Sequence, residues 1–442
     1  MGLERKKIIL YPVVELELSR GDVVYVTGES GGGKSMLLRF LAKALSRYRE
    51  FSPVATSWEA EKRIKKGRPV IDTVGKDTPD AISILSSSGL TDTYTWLRSY
   101  SELSEGQRYR YIFALTLSRE ARTVILDEFC STLDRETAKA TAYAVQRYAR
   151  KRGITLIVGT ALNDLEHDLN PSIVITKHLG PYVDIRRRET KPARCSLNDS
   201  VEIKEGSLDD WRLLSFLHYR SQSIGGASKI FKAALNGRTV GVVVYSIPYF
   251  PAPGFSECFD TRWYMRERFR NVLRVSRVVI HPSFRGVGLS GRLLNESMPK
   301  LQKPFVEILS TMQLYHNFTK NYMITVKVVR NERKEKALQR MKEETGIDPE
   351  LPLDELAKQL KSGGAVRRLA RWMRENYRIF LSQGKKTQIK LGSKQQILAA
   401  LSKIKSSAAP KVYSIWVNPS VEYREVIVRA LRREFRERLG FT

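Results

Sequence analysis

The eight residues Gly28-Glu29-Ser30-Gly31-Gly32-Gly33-Lys34-Ser35 constrain this 442-residue chain more than any other stretch. They follow the apolar run Val23 to Thr27 and precede the helix-like segment Met36-Leu-Leu-Arg-Phe-Leu-Ala. An apolar strand, a glycine-rich turn and a helix in that order belong to an α/β layer with a largely parallel sheet. Glycines let successive backbone N–H groups wrap one anion at a helix N-terminus. The terminal lysine and serine add a cation for phosphate oxygens and a hydroxyl ligand for Mg²⁺. Residues Gly28 to Met36 are therefore expected to cradle a polyphosphate.

Two further stretches sharpen this reading. Leu103-Ser104-Glu105-Gly106-Gln107 resembles the signature of the ABC ATPases, Val124-Ile-Leu-Asp127-Glu128 their Walker B strand, and Ser131-Thr-Leu-Asp134 the D-loop that follows. All three occur in family order, so the resemblance covers roughly residues 10–185. It implies ATP and Mg²⁺ as ligands. Ser35 and Asp127 would hold the metal, Asp127 through its water shell, and Glu128 would polarise the attacking water. Ser104, Gly106 and Gln107 would contact ATP held by a second copy, giving an ATP-dependent head-to-tail homodimer. On its own, the signature could equally be a helix start capped by Ser104. Tyr11 either stacks on adenine or packs in a strand.

Two departures stand out. Thr160-Ala161 follows the strand Thr155 to Gly159, where the family places a switch histidine, and no Gln lies between Ser35 and Gln107. Asp72 is a substitute candidate for the missing Gln. The signature also follows the glycine-rich turn closely, leaving little room for a transporter-type helical subdomain. The resemblance is therefore nearest to non-transport members acting on DNA, RNA or ribosomes.

A second strand, turn and helix runs Arg277-Val-Val279-Ile280-His281-Pro-Ser-Phe-Arg285-Gly286-Val287-Gly288-Leu289-Ser290. It resembles motif A of the GNAT acyltransferases, with Ser290 where Gly or Ala is usual. Residues Arg285 to Ser290 would present amides to a pyrophosphate, and Val279 and Ile280, in the strand Val278 to Ile280, would offer edge amides and carbonyls to a pantetheine arm, implying acetyl-CoA or another acyl-CoA. Any strand–Pro–Gly–x–Gly–helix turn in an α/β domain can look alike. Val201 to Arg212, Gly237 to Ser246 and Phe305 to Met312 supply the first strand and helix, the central hairpin and the following strand. The family's tyrosine general acid has no direct counterpart, because Phe318 stands in its place; Tyr315 and Tyr322 are candidates. His281 is a candidate base with a suitable intrinsic pKa, or an exposed turn residue. Glu307 is another candidate, or a charge on a strand face.

Lys and Arg total 76 against 47 acidic residues, a net +29. Such an excess suits a nucleic acid or ribonucleoprotein partner, although a charge-rich surface can also be solvated decoration. The excess continues beyond residue 330. Arg367, Arg368, Arg371, Arg374 and Arg378 recur at helical spacing beside Trp372 and Tyr377, a pattern for phosphate contacts with interleaved aromatics or for an amphipathic helix that packs inward. Three cysteines (Cys130, Cys195, Cys258) lack metal-ligand spacing. No stretch reaches the ~18 apolar residues of a membrane span, and charges interrupt the N-terminus where a signal peptide would be apolar. The expectation is a cytoplasmic protein without a membrane partner.

The expected architecture is α/β: an ABC-type ATPase domain over 1–188, a linker over 189–200, a mixed α/β GNAT-like domain over 201–330 and a basic, mainly helical extension over 331–442. The expected function is ATP hydrolysis joined to N-acyl transfer onto a nucleic acid or ribonucleoprotein. The alternative is an ATP switch that uses a degenerate GNAT-like fold for docking.

Overall fold

The computed structural model describes residues 11–441, apart from 14, 191–193, 219–223, 315–317, 352–355, 357–358, 361–362 and 381–390. In chain order the first part holds β1 (Val23–Gly28), α1 (Lys34–Leu45), β2 (Val54–Thr56), α2 (Ser57–Glu61), α3 (Thr78–Ser87), α4 (Thr93–Trp96) and α5 (Glu105–Leu117). Then come β3 (Thr123–Leu126), α6 (Arg135–Arg152), β4 (Thr155–Gly159), α7 (Glu166–Leu169), β5 (Ile173–Lys177) and β6 (Val183–Arg187). The six strands order as β2-β3-β4-β1-β5-β6. Every neighbouring pair is parallel except β5–β6.

Parallel strands covered on both faces read as continuous apolar runs, and β1, β3 and β4 show why. Val23, Tyr25, Val124, Leu126, Leu156 and Val158 enter one apolar layer. Their alternates Val24, Val26, Ile125 and Ile157 enter the other. Helix α6 covers the first layer with small residues, among them Ala138, Ala142 and Ala149. Asp134 caps its start by accepting from the Thr137 amide, and Gly153 ends it in the left-handed region.

The second part holds α8 (Ser196–Asp199), β7 (Val201–Glu205), α9 (Leu208–Ser215), β8 (Ala227–Leu235), β9 (Arg238–Ser246), α10 (Thr261–Asn271), β10 (Val272–Ile280) and α11 (Leu289–Ser297). It continues with β11 (Phe305–Ser310), β12 (Ile324–Val329), α12 (Glu332–Thr345), α13 (Gly363–Asn376), α14 (Lys394–Ala408), β13 (Lys411–Val417), α15 (Arg424–Ala430) and α16 (Arg433–Arg438). The second sheet orders as β12-β13-β11-β10-β9-β8-β7.

Two expected boundaries change. The stretch 189–200 is not all linker: it carries α8, and Cys195 is buried. The region after 330 is mainly helical but not a separate extension, because β13 lies between β11 and β12 and pairs antiparallel with both. Lys-Val-Tyr-Ser-Ile-Trp-Val is rich in β-branched and aromatic residues that suit a strand with a neighbour on each side. Helices α12 to α14 are therefore an insert between two strands of one sheet.

The chain divides into two compact units, Met1–Ile224 with Lys229–Val244 and Arg277–Ser297, and Gly225–Ser228 with Tyr245–Ser276 and Met298–Thr442. In the first unit, beyond the two layers around the six-stranded sheet, Trp211, Leu214, Ile230, Val242, Val244 and Val279 form a further core. In the second unit, Phe259, Tyr264, Phe305, Tyr413 and Ile415 form one core. The helical insert has its own, built on Met341, Leu369, Trp372, Met373, Leu401 and Ile404.

Candidate functional site

The turn after β1 is shaped by backbone rather than side chains. Gly28 has φ of +129°, and a Cβ there would lie 1.9 Å from the Lys177 carbonyl oxygen on β5. Only glycine fits that approach. Gly33 caps α1 at φ +97°. The Gly32 amide is used within the turn, donating to Glu29 O over 3.2 Å. The amides of Ser30, Gly31, Gly33, Lys34 and Ser35 have no acceptor among the described residues, which leaves a row of donors at the α1 N-terminus.

Lys34 Nζ donates to Gly28 O (2.8 Å) and Glu29 O (2.6 Å). Burial lowers its pKa below the usual lysine value, against the opposing charges of Asp127, Glu128 and Glu29. Those carboxylates therefore act on the same turn. Tyr11 is not the packed strand residue of one expectation. It lies outside any strand, and its phenol donates to Gly33 O over 2.7 Å, bracing the turn.

Asp127 and Glu128 follow β3. The Asp127 amide donates to Ser57 Oγ (3.1 Å), and its Oδ1 accepts from the Glu128 amide (2.9 Å). The Phe129 amide donates to Gly159 O over 2.7 Å, tying this turn to the end of β4. Glu128 has φ of +48°, a conformation that costs a non-glycine residue about 1 kcal/mol. Its exposed carboxylate accepts from the Tyr109 phenol over 3.2 Å. Burial, reinforced by the Glu128 charge, raises the Tyr109 pKa and keeps it a donor. The donors, the cation, the Ser35 hydroxyl and the two carboxylates form a set suited to a magnesium-bound triphosphate.

Known proteins share this stretch. An aliphatic sulfonates import ATP-binding protein of Pseudomonas fluorescens is 30% identical over 179 aligned residues, an alignment that covers 37% of this chain and 63% of that protein. The chain thus spans less than two thirds of that relative. The cytochrome c biogenesis ATP-binding export protein of Zymomonas mobilis is 29% identical over 163 residues, 34% of this chain and 71% of its own. A dimeric post-hydrolysis structure of the ATP-binding cassette MJ0796 bound to ADP and Pi aligns over 43% of this chain and 96% of its own, at 15% identity and a TM-score of 0.35. Residues 12–131 match the ABC transporter family. This stretch is an ABC transporter ATPase domain.

In the ABC-type domain, the signature is also the helix cap that its residues allowed. Ser104 Oγ accepts from the Gln107 amide (3.4 Å), and Gln107 Oε1 accepts from the Ser104 amide (3.0 Å). A Cβ on Gly106 would lie 3.3 Å from Leu133 in the D-loop segment. Where the family carries its histidine, Thr160 is buried and its Oγ1 accepts from the Leu162 amide over 3.1 Å. Asp72 lies in the 3-10 turn Val70–Thr73, whereas Ser57, directly after β2, touches the Asp127 backbone. Sequence reading missed Ser57 and Tyr109, because neither belongs to a motif.

The second glycine turn belongs to the same unit. Gly286 and Gly288 are exposed at φ of +82° and +87°, and nothing lies within 4 Å of a Cβ on Gly288. The amides of Gly286, Val287, Gly288, Leu289 and Ser290 have no acceptor among the described residues. The side chains of Val279, Ile280, Val287 and Leu289 are buried, so only their backbone could serve a ligand. Arg285 holds the turn in place: Nε donates to Ile280 O (2.9 Å) and Nη1 to Thr91 O (2.7 Å). Thr137 Oγ1 meets Ser283 Oγ at 3.1 Å, linking α6 to the turn. His281 Nδ1 accepts from the Ser283 amide (3.4 Å). Burial, with Arg238 and Arg285, lowers its pKa.

In the second unit, Glu307 is no strand-face charge. It is fully buried and accepts from Tyr264 (3.0 and 3.1 Å), Tyr413 (2.9 Å) and Arg274 Nε (2.8 Å). Burial and the Glu307 charge raise the Tyr264 pKa, so the phenol stays protonated. Tyr322 is half-buried in the turn before β12, and Tyr315 lies outside the described residues. Arg367, Arg368, Arg371, Arg374 and Arg378 are all exposed, with no ion pair to an acid among the described residues. The expected interleaved aromatics are not on that face. Trp372 and Tyr377 are buried in the core of the insert, because Leu369, Trp372 and Met373 share the inward stripe of α13.

Proposed function

We propose that the chain hydrolyses ATP in its ABC-type domain as a head-to-tail homodimer, and that its second sheet carries an acyl-CoA-dependent N-acyltransferase acting on a nucleic acid or ribonucleoprotein. The observation that carries the first half is the row of free amides beside Lys34, an ammonium on which the charges of Asp127 and the exposed Glu128 act. Lys34 leaves the Gly28 and Glu29 carbonyls to meet phosphate oxygens. Ser35 and Asp127 hold Mg²⁺, which supplies charge neutralisation when bound. Glu128, aligned by Tyr109, orients the attacking water. Ser104, Gly106 and Gln107 meet the nucleotide of the second copy. Thr160 has no titratable group near neutral pH, so turnover is slow. Hydrolysis by the full chain, together with a doubling of mass when Glu128→Gln protein meets ATP, tests this half; a constant mass contradicts it.

The acyltransferase half is supported by the free amides at Gly286 to Ser290 and by the lowered pKa of His281, which keeps its imidazole neutral at pH 7; its one lone pair, on Nδ1, would have to leave the Ser283 amide to take the proton of an attacking amine. The nucleic-acid partner is supported by the net charge of +29 and the five exposed arginines of the insert. The sealed state of Glu307 favours the docking reading, in which the second sheet binds without catalysis. Calorimetry with acetyl-CoA separates the two: heat that disappears in Gly288→Val supports acyl transfer, and no heat supports docking. The relatives' names, import and export, favour a third role, serving separate membrane subunits. No helix among the described residues is long and apolar enough to cross a membrane; co-purification with membranes tests that role.

A further inference from the structure

Exposed aromatics do occur beside exposed arginines, on α10 of the second unit. Helix α10 presents Arg262, Met265, Arg266, Phe269 and Arg270 to solvent at i, i+3, i+4, i+7 and i+8, the spacing of one helical face. Beside it lies the tip Tyr249–Phe250. Phe250 is 71% exposed and Tyr249 56%, and the Tyr249 and Phe269 rings are 6.3 Å apart. Apolar side chains this open on a tip gain nothing from folding.

The tip is also held rigidly. Arg268 is buried beneath it and donates to Pro248 O and Tyr249 O, each over 3.2 Å, while its guanidinium lies 4.3 Å from the Phe269 ring centre. Arg274 Nη2 donates to Phe250 O over 2.7 Å. One buried guanidinium and one half-buried one thus hold the backbone of two aromatic residues whose rings are largely exposed. Arg262, Arg266 and Arg270 have no acidic partner among the described residues.

We infer that Tyr249, Phe250 and Phe269 form a stacking platform for the unpaired bases of a single-stranded nucleic acid, with Arg262, Arg266 and Arg270 tracking its phosphates. Flat rings offered at fixed positions suit bases of any sequence, and flanking arginines suit the backbone. A duplex hides its base faces and would meet only the arginines. The inference rests on the nucleic-acid reading above and gives it a site apart from the arginines of α13.

Fluorescence anisotropy with the full chain tests it, using a labelled 20-nucleotide single strand and the matching duplex in moderate salt. The double variant Tyr249→Ala/Phe250→Ala is expected to weaken single-strand binding by about tenfold or more and to leave duplex binding and the melting temperature unchanged. A conservative Phe250→Trp is expected to restore most of the loss. If the double variant binds both probes as the wild type does, while Arg367→Glu/Arg371→Glu loses them, the platform is overturned and the nucleic-acid reading stands. No binding of either probe by the wild type overturns both. Binding to anionic vesicles lost with the two rings, with no strand binding, assigns the patch to a lipid surface instead.

Discussion

The Tyr109 phenol donates a hydrogen bond to the Glu128 carboxylate over 3.2 Å, from the helix that begins at the signature to the turn that ends β3. Tyr109 thereby sets the direction of a carboxylate whose backbone already sits in a left-handed conformation. Hydrogen bonds to charged groups contribute about 1.5–3 kcal/mol. Tyr109→Phe is therefore expected to lower kcat for ATP hydrolysis by roughly tenfold with KM little changed, because phosphate binding lies elsewhere. Steady-state kinetics check the split; a raised KM at constant kcat would assign Tyr109 to binding.

Gly28 and Gly31 make a matched pair. Both have positive φ, yet a Cβ meets the Lys177 carbonyl at 1.9 Å on Gly28 and nothing within 4 Å on Gly31. Gly28→Ala is expected to destabilise the chain by about 3 kcal/mol or more, and Gly31→Ala by about 1 kcal/mol. Denaturant unfolding measures both, and equal losses would place the strain in φ alone.

Arg274 and Glu307 are both largely buried, and removing one charge strands the other. Glu307→Gln is expected to cost about 3–5 kcal/mol. A variant that melts like the wild type would show that Glu307 is not the anchor between β10, β11 and β13.

Asp210 titrates at about 2. Burial, the largest single influence, pushes its pKa up, but hydrogen bonds from Lys232, Thr239 and Ser207 together outweigh it. A carboxylate with a depressed folded pKa stabilises above its unfolded value near 4 and loses that contribution as the pH falls from 4 towards 2. Discounted for screening, the loss is about 1–2 kcal/mol. Asp210→Asn should remove this part of the acid dependence; acid titrations that superimpose for both proteins would contradict it.

Much of the candidate nucleotide site is local in the sequence. Lys34, Ser35, Asp127 and Glu128 sit at fixed offsets from strand ends, and apolar runs announce those strands. Tyr109 and Ser57 were not legible, since each acts through a contact made only when α5, β2 and β3 come together. The boundary at 330 failed for a similar reason. β13 pairs with strands far earlier in the chain, and the basic helices before it hid its seven residues. Arg367, Arg368, Arg371 and Arg374 lie on the exposed face of α13 and Arg378 in the turn after it, but spacing alone did not say which way Trp372 and Tyr377 point.

Calorimetric titration of Mg²⁺-ATP into the wild-type chain and into Lys34→Ala shows whether the turn after β1 holds a nucleotide. About one nucleotide per chain is expected for the wild type, and an affinity at least a hundredfold weaker for Lys34→Ala. A wild type that gives no heat at millimolar ATP, or a Lys34→Ala chain that binds as the wild type does, would contradict this expectation.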